Sequence, residues 1–331
     1  MVSMQVKLYR GKIVESKHAI KCLVKNLNGR NLLSTNNQRD LIFPRSAVKI
    51  FQALPFVDSD SIKLFNLNNK NIALSCSSHH GEAQHLSILK KWLKKIKIDV
   101  KEIKCGIHNP ISHQSSNKLL LNREKPNQLH HNCAGKHLAM ISGCIAYKIN
   151  HYDYINFNHP YQILIRNCLE FFTNSKIKNI NIGIDGCNAP QYAFTIESLA
   201  YSMINLIKTV NKKNQYTKSI KKILLSIRNN PLLIGGSNSF DSNVMKITGG
   251  RIFCKGGAEG VLLFADFKKK IGGVIKVVDG NERARPLISL KIFTKLNLIS
   301  KKEEEILKKL TIQKIPNGKI FAEIRQKIIL V

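Results

Sequence analysis

The sequence predicts an α/β protein, more narrowly α+β: one antiparallel sheet built from strands at both ends of the chain, flanked by helices. Three observations predict it. Apolar, β-branched runs occupy residues 7–14 and 19–24 near the start and 260–267 and 273–278 near the end. Between them apolar residues recur at helical spacing, as at Leu86, Leu89, Trp92 and Leu93. No internal repeat and no clear linker divides the chain, so residues 1–331 read as a single domain with a helical middle inserted between the sheet strands. A chain of 331 residues can bury a substantial core.

The first two strands are separated by Glu15-Ser16-Lys17-His18, which reads as a turn, and Asn28-Gly29 is a strong turn signal after the second. Pro44 suits a helix start, and Pro55 is expected to end that helix at Leu54. Ser77 or Ser78 is a candidate cap for the helix carrying Trp92. Residues 103–127 are rich in Asn, Ser and Pro and read as a long loop or cleft wall. The stretch from Leu129 to His137 reads as a turn entering a helix that continues through Met140, Ile141 and Ile145. Helices follow over 161–172, 196–208 and 220–228, with a short strand over 180–184 and a Gly/Pro turn after the first of them. Residues 247–254 lead up to Lys255, and helices over 287–296 and 302–310 close the chain.

The formal net charge of +32 invites a nucleic-acid reading. The excess is lysine spread along the chain among many Asn and Ile residues, with a single Trp, so no base-stacking surface is evident. Runs such as Lys90-Lys91 with Lys94-Lys95 read as solvated faces. A nonspecific polyanion binder remains a rival reading, and a specific nucleic-acid function is not expected. No apolar run approaches the roughly 20 residues of a membrane span, and residues 1–10 lack the pattern of a signal peptide. No membrane partner and a cytoplasmic location are therefore expected. The eight cysteines lack any Cys-x-x-Cys spacing and read as free thiols.

Chemistry enters at Phe43-Pro44-Arg45-Ser46-Ala47-Val48-Lys49. Residues three apart on a helix share a face, so the Ser46 hydroxyl and the Lys49 amine are expected side by side. A serine hydroxyl becomes a nucleophile when a base takes its proton, and a neutral amine can do so. Ser-x-x-Lys alone is a weak signal. A second lysine in a strand-like setting far downstream, Lys255-Gly256-Gly257, strengthens it, because Ser-x-x-Lys with a later Lys-Thr-Gly is the β-lactamase and penicillin-binding signature. On pattern alone His79 and His80 are not a metal pair, since neighbours do not share a helix face, and Cys133 reads as a buried thiol.

Five stretches together resemble one family. They are Phe43 to Lys49 with Gln52-Ala53-Leu54-Pro55, Ser78-His79-x-Gly81-Glu82, His131-Asn132-Cys133-x-Gly135-Lys136-His137, Ile184-Asp185-Gly186-Cys187-x-Ala189-Pro190, and Lys255-x-Gly257-Ala258-Glu259-Gly260-Val261. In this order they resemble the L-asparaginase II family, the class 3 asparaginases with a serine β-lactamase-like fold. The resemblance implies hydrolysis of L-asparagine to aspartate and ammonia. It implies catalytic roles for Ser46, Lys49, Ser78 and Lys255, and substrate contacts from Arg45, His79, Glu82, Asp185 and Gly257. It also implies one zinc ion on Cys133, Lys136 and Cys187, and a homodimer. Departures from the family pattern are Ile50, His80, Ala134 and Asn188, and none removes a proposed catalytic or metal group. The rival readings are a glutaminase or β-lactam-reactive enzyme on the same fold, the polyanion binder, and a chain whose cysteines hold zinc structurally without catalysis.

Overall fold

Strands β1 (Met4–Arg10) and β2 (Ile13–Asn26) form an antiparallel hairpin in a computed structural model that describes residues 4–311. The turn is Gly11-Lys12, with Gly11 at φ 61°, a left-handed conformation that glycine adopts without Cβ strain. The polar residues 15–18, expected as the turn, lie inside β2 instead. Polarity there reflects alternate exposure along the strand: Glu15 and Lys17 face out while His18 and Ile20 face in. The Asn28-Gly29 turn falls where expected and leads to β3 (Asn31–Ser34), which pairs with β2.

Four short strands follow, β4 (Leu41–Ile42), β5 (Ile182–Ile184), β6 (Pro190–Tyr192) and β7 (Phe194–Thr195). The C-terminal strands are β8 (Ile252–Gly257), β9 (Val261–Asp266) and β10 (Ile271–Val277). The main sheet is antiparallel and six-stranded, in the order β1-β2-β10-β9-β8 with β3 beside β2. The two ends of the chain thus share one sheet, as the sequence predicts. Every residue of β8 and β9 is buried, which requires cover on both faces. Gly272 admits the Ile196–Asn211 helix closely, since a Cβ there would lie 2.7 Å from Met203 Cβ. On the opposite face Phe264 packs edge-on against Phe293 of the Ala284–Lys295 helix at 5.0 Å.

The chain divides into two compact units. Among the described residues the first takes in 4–47, Phe194–Lys208 and 243–311, and so contains the sheet. The second comprises Val48–Ala193 and Thr209–Ser242 and is mainly helical. Its centre is the Ala134–Ala146 helix, buried on every side from Ala134 to Cys144. Gly135 lets that helix meet the Asn69–Ser75 helix: a Cβ at 135 would sit 2.2 Å from the Leu74 carbonyl oxygen. The expected loop at 103–127 contains one helix, His113–Leu121, none of whose residues is buried, so no apolar periodicity announces it. Pro55 does not end helical structure. The Lys49–Gln52 helix gives way at Ala53 to a second helix, Leu54–Asp58, with Pro55 in its first turn, where the missing N–H costs nothing. All eight cysteines are thiols and buried. Lys90, Lys91, Lys94 and Lys95 are exposed on the Ala83–Ile96 helix. Among the described residues no helix is long and apolar enough to cross a membrane.

Candidate active site

The second unit buries the Lys49 amine completely. Lys49 opens the Lys49–Gln52 helix, all four residues of which are buried, and Phe51 anchors it by stacking on Phe172 at 4.3 Å. Burying an amine is costly unless each N–H finds an acceptor. Lys49 Nζ meets three: the Ser77 carbonyl oxygen, Ser78 Oγ at 3.1 Å and Cys133 Sγ at 3.1 Å. The segment carrying Ser78 is held extended by its backbone. Ser78 N–H donates to Ile234 O at 2.8 Å, His79 N–H to Asn132 O at 3.2 Å and His80 N–H to Gly235 O at 2.7 Å. A buried amine is therefore fixed on a serine hydroxyl that is itself partly exposed.

Cys133 stands at the N-terminal cap position of the Ala134–Ala146 helix, and Lys136 follows in its first turn. The β5–β6 hairpin brings Cys187 to Lys136, with Nζ 3.0 Å from Sγ. Cys187 is also within 3.9 Å of Asp185 Oδ2. A hydrogen bond with Cys133, aided by the Lys136 charge, overcomes burial and lowers the Cys187 thiol to about 5. Burial opposes the charge on Lys136, but Cys187, Cys133 and Asp185 outweigh it and hold that amine above its ordinary value. Among the described residues no group of three His, Cys, Asp or Glu side chains could hold a metal. A metal here needs the Lys136 nitrogen as third donor. Two sulfurs, one of them acidic enough to be a thiolate at neutral pH, fit a thiophilic divalent ion, provided Lys136 yields its proton on binding.

Ser46 and Lys255 belong to the first unit, and Lys49 to the second, so the Ser-x-x-Lys pattern straddles the boundary at Ala47–Val48. Ser46 lies in the 3-10 turn Arg45–Val48, after Arg45 in the left-handed conformation at φ 53°. Such a backbone costs a non-glycine residue of order 1–3 kcal/mol and is a feature of functional turns. In β8 Lys255 and Gly257 are two apart and share a face of the sheet. Gly257 meets the turn directly: a Cβ there would sit 2.3 Å from Pro44 O and 3.1 Å from Arg45 Cβ. Arg45 is 4.0 Å from Glu259. The first unit thus seats the Ser46 turn against the strand face that carries buried Lys255. Gly257→Ala is expected to cost about 1–3 kcal/mol by overpacking and to lower kcat on the order of 10²-fold by displacing Ser46. Thermal melts and steady-state kinetics of a folded Gly257→Ala protein check this, and unchanged kcat would contradict it.

The other residues expected at the substrate have the following partners within the second unit. Glu82 accepts from Ser237 N–H at 2.8 Å and Ser237 Oγ–H at 2.9 Å, fixing the 235–239 loop. With His85, not with Ser77 or Ser78, it caps the Ala83–Ile96 helix in a reciprocal box. Asp185 is buried beside Cys187 and accepts the Gly186 N–H at 2.9 Å. His79 is fully buried, stacks on His85 at 5.2 Å and accepts the Gly81 N–H on Nδ1. The residues that pattern reading passed over are His137 and Tyr154, hydrogen-bonded at 2.7 Å in the core of this unit. His137 sits beside Lys136 in a quoted motif, whereas no local signal marks Tyr154.

These histidines make the fold acid-sensitive. Burial chiefly lowers His85 to about 4 and His137 to about 3 from an ordinary 6.5. As pH falls the unfolded chain takes up protons that the folded protein refuses. Their stabilisation is therefore complete above 6.5 and is lost as pH drops from there toward those lower values. The expected slope is roughly 1.4 kcal/mol per pH unit for each histidine. Denaturant titrations across that interval check it; a flat profile would contradict it.

The second unit thus sets a buried amine on a serine hydroxyl, and the first unit sets a serine turn against a strand that carries a buried lysine. The family model described as L-asparaginase II matches residues 6–325, so the chain belongs to the L-asparaginase II family. It is an enzyme, a hydrolase of the asparaginase type acting on a small-molecule amide. No curated protein matches the chain. A crystal structure from Bacteroides dorei DSM 17855, provisionally named a β-lactamase, covers 83% of this chain and 92% of its own, at 10% identity and a TM-score of 0.45. That likeness is too low to bear on function.

Proposed function

We propose that the protein hydrolyses L-asparagine to L-aspartate and ammonia by acyl transfer to serine. The observation that carries the reading is the buried Lys49 amine on the Ser78 hydroxyl, in a chain of the L-asparaginase II family. Ser46 Oγ attacks the side-chain amide carbon, and its proton passes to Lys49 with the Ser78 hydroxyl as relay. The C–N bond breaks and the leaving nitrogen takes that proton, so ammonia departs and an aspartyl ester remains on Ser46. Water then attacks the ester, gives a proton to Lys49, and releases aspartate as the proton returns to Ser46. Lys255 balances the negative charge that develops at the carbonyl oxygen. Arg45 is the natural partner for the substrate carboxylate. Ammonia release from asparagine, glutamine and a chromogenic β-lactam ring opening, measured side by side, tests the substrate. Preference for glutamine or the β-lactam would overturn it.

Cys133, Lys136 and Cys187 are the residues to hold one zinc ion. Bound there, it would supply fixed positive charge that favours both sulfurs as thiolates. A homodimer in the cytoplasm is the expected setting. Protein purified without chelator is expected to carry about one zinc per chain, and the Cys133→Ala/Cys187→Ala double variant none. Equal zinc in both would sink the site.

A further inference from the structure

Three hydrogen bonds in series join the two halves of the thiol–amine cluster. Asn188, next to Cys187 in the β5–β6 turn, donates from Nδ2 to the Lys104 carbonyl oxygen at 3.0 Å. The Lys104 N–H donates to Tyr154 Oη at 2.8 Å. Tyr154 Oη is 2.7 Å from His137 Nδ1, and the two rings meet edge-on at 5.5 Å. His137 follows Lys136 on the Ala134–Ala146 helix. The series therefore runs from the Cys187 turn to the helix that carries Cys133 and Lys136.

The two bonds at the Lys104 backbone have fixed directions. A backbone N–H only donates, so the Tyr154 oxygen accepts there. Tyr154 is fully buried, and burial raises its phenol well above the ordinary range, so it keeps its proton. Its oxygen is hydrogen-bonded to His137 Nδ1 as well, in the direction that the imidazole tautomer sets. Nε2 is buried and has no hydrogen-bond partner among the described residues. Lys136, Cys133, Lys49 and Asp185 are the charged groups around this ring. Asn188 is in the left-handed conformation at φ 64°, which asparagine tolerates, and its own N–H closes the turn onto Asp185 O at 2.9 Å. Exposed at the surface, its amide earns no burial energy; what it does is tie the turn down.

We propose that Asn188, Tyr154 and His137 are positioning residues: through the backbone of Lys104 they set the spacing between Cys187 and the Cys133–Lys136 turn, and with it the affinity of that cluster for a thiophilic divalent cation. This rests on the zinc reading given above. Partners that orient metal-binding groups typically change affinity on the order of 10–100-fold when removed.

Asn188→Asp is the sharpest variant. It keeps the size and the left-handed tolerance but turns an oxygen toward the Lys104 carbonyl, and its site is exposed, so the fold is expected to survive. Tyr154→Phe removes the next link and strands the Lys104 N–H. Asn188→Gly relieves the backbone while cutting the tie. The probes are zinc and cobalt(II) affinity by chelator competition, the cobalt(II) absorption spectrum, and the alkylation rate of Cys187 by iodoacetamide in metal-free protein, read by peptide mass. Thermal melting reports the fold. The expected result is cation affinity weaker by 10–100-fold, an altered cobalt spectrum and a changed Cys187 rate in Asn188→Asp and Asn188→Gly, with melting near wild type. Folded variants that keep wild-type affinity, spectrum and rate would overturn the proposal. If the wild type itself binds neither ion, the zinc reading fails. The alkylation rate then decides alone: a several-fold change supports the positioning role, and an unchanged rate rejects it.

Discussion

Lys49→Arg is expected to lose as much asparaginase activity as Lys49→Met. Both variants should fall by roughly 10² to 10⁴-fold in kcat, the usual worth of a general base. If the residue only supplied positive charge, arginine would substitute for it. Arginine does not lose its proton in a protein. The geometry sets a second demand that arginine fails. Lys49 is fully buried, with the Ser77 carbonyl, the Ser78 hydroxyl and the Cys133 thiol grouped around its nitrogen. A planar guanidinium does not fit three acceptors grouped around a point. Methionine fits the volume but leaves those acceptors without a donor, at about 1–3 kcal/mol. Melting curves and kinetics on both variants decide the matter. A folded Lys49→Arg enzyme with near wild-type activity would rule out the base role.

Ser46→Ala is expected to abolish turnover while the protein stays folded. The side chain is half-buried in a short 3-10 turn, so its loss should cost no more than about 1 kcal/mol. Ser78→Ala is expected to slow the reaction less, because it removes the relay and one partner of Lys49 rather than the attacking oxygen. The opposite order, with Ser46→Ala active and Ser78→Ala dead, would transfer the nucleophile role to Ser78. The 3.1 Å contact between Lys49 and Ser78 makes that comparison essential.

Much of the fold was legible because it is periodic. The C-terminal hairpin β9–β10 and the helix around Tyr161 lie within a few residues of their expected bounds, and the helix around Trp92 follows from apolar spacing. The failures have local causes. The β1–β2 turn rests on one glycine, and the polar run beside it is an outward-facing strand. The Ala83–Ile96 helix uses Glu82 and His85 where serine is the commoner cap. Around Lys49 the limit is different in kind. Its partners come from segments 28 and 84 positions away, and no spacing within a helix encodes them. The Asn188–Lys104–Tyr154–His137 series likewise draws on four separate stretches, so only the folded chain displays it.

The central claim is acyl transfer from asparagine to Ser46, and trapping that ester tests it most directly. Enzyme mixed with L-asparagine and quenched in acid within one turnover, then digested and weighed, is expected to carry one aspartyl group on the peptide containing Ser46. Ammonia is expected in equal amount in that first turnover. An aspartyl group on the Ser78 peptide, or ammonia released with no serine modified at any quench time, would contradict the account.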